Sequence, residues 1–128
     1  MANKKLTQDD VSRLLSNPST DTRVEIATKI AGDFNAGDLS DGERKLAEEI
    51  FRVMVKDAEV RVREALALNL KESSGIPHDV AVSLAKDVEQ VALPVLQFSD
   101  VLTDNDLIEI INSHSAEKQT AIAKRKNV

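Results

Sequence analysis

Glu59-Val60-Arg61-Val62-Arg63-Glu64-Ala65 is the stretch whose reading decides the fold. Val62 and Ala65 stand three apart, so they share one face of a helix, and the small alanine lets a neighbouring helix approach closely. The arginine beside the valine points away from that face, where it can pair with an acid. Related stretches occur elsewhere in the chain. Asp21-Thr22-Arg23-Val24-Glu25-Ile26-Ala27 precedes it, Glu89-Gln90-Val91-Ala92-Leu93-Pro94 follows with Gln90 in place of the arginine, and Lys118-Gln119-Thr120-Ala121-Ile122-Ala123 is a looser copy. The offsets are about 38, 29 and 29 residues, the spacing of helical repeats. A pair of short helices cannot bury its apolar face alone, whereas stacked pairs build a continuous core.

Outward from these stretches the chain alternates helical patterns with short breaks. Thr7 opens a first helix with Val11, Leu14 and Leu15 as its apolar stripe, and Asn17-Pro18 ends it. Ser19 or Asp21 caps a second that runs to about Phe34. Ser40-Asp41-Gly42-Glu43 is a capping box before a helix with a broad apolar face from Leu46 to Val55. A fourth helix spans about Glu59 to Leu70. Pro77 suits the first turn of a fifth. Pro94, within Val88 to Phe98, marks a kink or a first turn. Thr103 with Asp106 caps a seventh helix, and Ser115 caps an eighth. No segment sustains a period of two. The expectation is an all-α chain of about eight helices in antiparallel pairs, without a sheet, forming one domain over residues 1–128.

Composition agrees with this reading. Of 128 residues, 41% are hydrophobic and 30% charged, with four Gly, three Pro and no Cys. So few turn-formers argue against many-stranded β folds, and the lack of cysteine excludes disulfides and thiol catalysis. The longest uncharged apolar run, from Val91 to Leu96, is far short of the roughly 20 residues that a membrane span needs. The polar start MANKKLTQDD carries no apolar signal core. The expected location is the cytoplasm, away from membranes. The net charge of −5 disfavours general binding to phosphate backbones.

The valine–arginine stretches, Val60-Arg61 and Val62-Arg63-Glu64-Ala65, resemble the HEAT and armadillo-like superfamily. The whole chain resembles an uncharacterised bacterial family of HEAT-like repeat proteins, a domain of unknown function. The residues that carry this are Asn17-Pro18-Ser19 with Arg23, Leu84-Ala85-Lys86-Asp87 running into Val91 to Leu96, Ser99 to Asp104, and Ala121-Ile122-Ala123-Lys124-Arg125. The most specific part runs from Leu84 to Arg125. The resemblance implies a right-handed α-solenoid and brings no established activity. That family's pattern extends past the last arginine, whereas this chain stops at Val128. The resemblance therefore implies a short member or the N-terminal part of a longer repeat protein, with an end that favours a homodimer or a continuation.

Catalytic and metal-binding chemistry finds little support. His78 and His114 lack a second ligand at metal spacing. Asp33, Asn35, Asp38 and Asp41 look faintly like a calcium loop, but the places for Gly and Glu hold Asp38 and Arg44. Asp100, Asp104 and Asp106 read as a helix-start signal. No G-x-S-x-G or Gly-rich phosphate loop occurs. The expectation is thus no enzyme, no cofactor and no metal. Base-handling relatives in the superfamily would need aromatics and a basic groove. This chain has no Trp or Tyr, and Phe34, Phe51 and Phe98 are expected in the core. Arg52, Lys56, Arg61 and Arg63, joined by Lys124, Arg125 and Lys126, are the best basic candidates, but acids intersperse them. The expected function is protein–protein interaction or scaffolding with a protein partner, through a charged ridge of Arg23, Arg61 and Arg63. The same arginines also have a purely structural reading. The alternative function is a nucleic-acid-binding solenoid.

Overall fold

Helix starts follow the cap chemistry closely. The computed structural model describes residues 19–37, 39–113 and 115–125. Within them lie seven α-helices and no strand: α1 (Thr20–Ala36), α2 (Asp41–Met54), α3 (Val60–Leu70), α4 (His78–Ala85), α5 (Glu89–Phe98), α6 (Asp104–Ile111) and α7 (Ala116–Ala123). The helix expected to open at Thr7 lies outside the described residues, as do Asp38, His114 and Lys126.

The Ser19 hydroxyl accepts from the Thr22 N–H to start α1. Ser40 with Glu43 and Thr103 with Asp106 form reciprocal capping boxes for α2 and α6, and Ser115 caps α7. Each satisfies N–H groups that a helix start leaves without a partner. Gly37 ends α1 at φ 76° and ψ 14°, a left-handed conformation that glycine adopts without steric cost. Pro77 is the N-cap of α4 rather than its first residue. Pro94 lies inside α5, where it removes one backbone donor.

The helices that carry the related stretches are the ones that pack in a row: α1 on α3, α3 on α5, and α5 on α7. The even helices back this row, α2 against α1 and α3, α4 against α5, and α6 against α7. Val62, Leu66, Ala67 and Leu70 of α3 and Val91, Ala92, Val95 and Leu96 of α5 are wholly buried at the centre. Phe34 and Phe51 meet edge to face at 5.2 Å between α1 and α2.

Two expectations change. Phe98 is not a core residue: it is 39% exposed, at the end of α5, where the Lys71 ammonium stands 4.9 Å from the ring centroid. The broad face of α2 is buried only in part, since Val53 points outward at 57% exposure while Ala47, Ile50, Phe51 and Met54 are inside.

Phe51 fills the α1–α2 junction with no exposure. Phe51→Ala is expected to cost about 3–5 kcal/mol, read as a lower midpoint in urea denaturation followed by circular dichroism. A loss below about 1 kcal/mol would mean that the junction collapses around the missing ring.

Candidate functional site

The polar residues that link the row form a ladder. Arg23 on α1 grips Asp57, in the α2–α3 connection, through Nε to Oδ2 at 2.7 Å and Nη2 to Oδ1 at 3.1 Å. Arg63 on α3 repeats this one step on, with Nε to Asp87 Oδ2 at 2.7 Å and Nη2 to Oδ1 at 3.1 Å. Its Nη1 also donates to the Asp57 carbonyl at 2.5 Å. Lys118 on α7 reaches the Asp87 carbonyl with Nζ at 2.6 Å and the Ala85 carbonyl at 3.3 Å. The series Arg23, Asp57, Arg63, Asp87 and Lys118 thus runs through the molecule. Each forked pair is bidentate, the geometry in which a guanidinium holds a carboxylate most firmly.

The electrostatics match the geometry. The Asp57 hydrogen bond raises Arg23 above its already high ordinary pKa against the effect of burial, and Asp87 does the same for Arg63. Burial pushes the Lys118 ammonium down, while the charges of Asp87 and Glu89 partly restore it.

The even helices have their own polar links. Arg52 on α2 holds Asp79 on α4 at 2.9 Å, His78 on α4 lies 2.7 Å from Asp106 on α6, and Lys86 pairs with Glu109. The Asp79 carboxyl is held below its ordinary range by the Arg52 hydrogen bond, against burial. For Asp106 burial works upward, but the Thr103 N–H, His78 and the Thr103 hydroxyl together hold it lower.

The three arginines of the expected ridge therefore sit differently. Side chains of Arg23 and Arg63 are only 19% and 15% exposed, inside the ladder. Arg61 is 61% exposed and meets Asp21 on α1 at 2.7 Å. Two of the other basic candidates are taken up by acceptors. Arg52 is engaged by Asp79 and Glu49, and Arg125 donates to the Leu96 and Ser99 carbonyls at 2.6 Å each, tying α7 to the end of α5. Among the described residues no three His, Asp or Glu gather in a way that holds a metal.

Sequence reasoning found the arginines and missed their acceptors. The signal is there: Asp57-Ala58-Glu59 and Asp87-Val88-Glu89 each place an aspartate two residues before a glutamate at the start of a row helix. It also missed a cleft of about 680 Å³ at the other end of α1 and α3, lined in part by Arg44, Leu68 and Lys71.

A double-mutant cycle on Arg63 and Asp87, each changed to Ala, should return a coupling of about 1–2 kcal/mol. The same cycle on Arg61 and Asp21 should return almost none, because both are open to solvent. Equal couplings would remove the ladder's structural role. A second measurement is pH-dependent. Asp79 and Asp106 have folded pKa values below the ordinary 3.8. Their contribution is therefore complete above that value and lost as pH falls through the lower folded ones. Urea midpoints should drop on acidification through this range, and Asp106→Asn should flatten the drop. A variant as acid-sensitive as the parent would assign the loss to other groups.

Against known proteins, the model of a family described as "Uncharacterised protein conserved in bacteria (DUF2336)" matches residues 91–128. The match covers most of α5, all of α6 and α7, and the loops between them. No curated protein and no solved structure matches the chain. Over that C-terminal stretch the chain is similar to an uncharacterised bacterial domain, and the match overlaps the segment from Leu84 to Arg125 that carries the most specific resemblance in the sequence.

Proposed function

We propose that this chain is a non-enzymatic protein-interaction module, built as a right-handed α-solenoid of HEAT-like helix pairs, that presents the outer face of its row of helices to a protein partner in the cytoplasm. The observation that carries the reading is the row itself. The four helices bearing the related stretches lie side by side, and the even helices back them. Such a layered stack offers an extended surface. Arg61 is the member of the expected ridge that stands out on it. Leu68 follows two turns on, on the same face of α3, and is 47% exposed. That face mixes charge with exposed apolar surface, as partner-binding surfaces do.

The test is a tagged pull-down from the native cytosol at physiological salt, with the bait as wild type and as Arg61→Glu. One or two strongly enriched proteins, lost with the variant, are the expected result. Enriched proteins retained by Arg61→Glu would move the contact away from this ridge. Recovery of the bait alone would point instead to self-association, and recovery of nucleic acid that a salt step removes would overturn the protein-binding reading.

A further inference from the structure

Side chains on the outer face bridge one row helix to the next, and the bridging changes along the row. Asp21 on α1 meets Arg61 on α3 at 2.7 Å. Glu64 on α3 accepts from Gln90 Nε2 on α5 at 2.8 Å. Buried residues fix the corresponding places at the third junction. Leu66-Ala67, Val95-Leu96 and Ala121-Ile122 are neighbouring buried residues of α3, α5 and α7. Two positions before Leu66 and Val95 stand Glu64 and Leu93, and five positions before Val95 and Ala121 stand Gln90 and Ala116. Leu93 and Ala116 therefore take the places of the bonded pair Glu64 and Gln90. Neither side chain can hydrogen-bond, so the α5–α7 junction has no bridge at that place.

What lies there instead is a groove of about 300 Å³, lined by both residues together with Gln97, Glu117, Ala121 and Lys124. The two helices are nonetheless held to a fixed spacing. Ser115 Oγ donates to Glu89 Oε2 at 2.9 Å at one end, and Arg125 bonds the Leu96 and Ser99 carbonyls at the other. The apolar lining comes from Leu93, Ala116 and the buried Ala121. Charge marks the two ends of the groove. Glu117 lies in the first turn of α7 and Lys124 is its C-cap, about 10 Å apart along the axis. Both suit the dipole of α7 itself, and neither side chain has a polar partner among the described residues.

Resting on the protein-interaction reading, we propose that this groove seats an amphipathic helix of the protein partner, antiparallel to α7, with its apolar stripe on Leu93 and Ala116, an acidic residue beside Lys124 and a basic residue two turns later beside Glu117. Both walls are helices and present no row of open main-chain groups to an extended segment, whereas a helix brings its own hydrogen bonds complete. Charge sets the direction. An acid near the N-terminus and a base near the C-terminus is the order that a helix favours, and antiparallel seating brings that order to Lys124 and Glu117. A second copy of this chain matches the groove less well. Its own exposed face of Ile108 and Ile111 on α6 has Asp104 one turn before, but Asn112 rather than a base after it, so nothing there answers Glu117.

The experiment is a titration of the full ¹⁵N-labelled chain with end-blocked, alanine-based helical peptides, read from amide shifts at physiological salt. One peptide carries Glu-Ala-Ala-Leu-Leu-Ala-Ala-Lys, a second has the Glu and Lys exchanged, and a third has Ser for both Leu. The expected result is shifts confined to α5 and α7 with the first peptide, a Kd about tenfold higher for the second, and no binding of the third. Exchanging the rim charges of the protein, Glu117→Lys with Lys124→Glu, should reverse the preference between the first two peptides, which a misfolded variant cannot imitate. Ala116→Arg, which gives the junction a long polar side chain, should close the groove and abolish binding while the circular dichroism of the helices is unchanged. Absence of shifts at millimolar peptide, shifts on other helices, equal binding of the third peptide, or a preference that survives the charge exchange would each overturn the proposal. Shifts in α5 and α7 that appear on raising the protein concentration without peptide would overturn it in favour of a second copy. A pull-down partner kept by Ala116→Arg would remove the groove and leave the interaction module standing.

Discussion

Asp57 and Asp87 are the groups on which the arrangement of the row depends. Each sits in the connection before a row helix and receives a forked guanidinium from the preceding row helix, Asp57 from α1 and Asp87 from α3. The apolar faces alone would allow the helices to slide, because hydrophobic contact is non-directional. A bidentate pair fixes distance and orientation together. Its partial burial also makes an error costly, since a carboxylate left unpaired at that depth loses its water without compensation. Arg63 strengthens this by bonding both the carboxylate of one rung and the carbonyl of the other, so neighbouring rungs are joined.

The sheltered ladder and the exposed face divide the labour of the charged residues. Arginines that read alike in the sequence, Arg61 and Arg63, are two positions apart and therefore point in different directions on α3. One is mostly solvated, and the other is enclosed. α5 carries no such cation: Gln90 stands at the place of the exposed Arg61 and bonds Glu64, and Ala92 stands at the place of Arg63. Lys118 compensates from the next row helix, reaching back to the carbonyls of Ala85 and Asp87.

The helices and their starts were legible because caps and 3.6-residue periodicity are local. Ser19, Ser40, Thr103 and Ser115 each do what their sequence context implies. The related stretches also marked the helices that form the row. What the sequence left hidden is long-range pairing. Arg23 and Asp57 lie 34 residues apart, Arg63 and Asp87 24, and no local rule joins them. Phe98 was misplaced for the same reason: helical spacing puts it on the apolar side, but a cation from α3 lies over the ring at the helix end. The cleft was equally invisible, since it is assembled from Phe34, Arg44, Leu68, Lys71 and Gly75, which share no motif.

The spacing of the rungs bears on how the chain comes to be folded at all. Each forked pair joins residues a few dozen positions apart, and each row helix rests on the next row helix in order. Contacts this local cost little loop-closure entropy and favour fast folding. During synthesis the partner of Arg23 emerges soon after it, and that of Arg63 sooner still. The early rungs can therefore close while later residues are still being added.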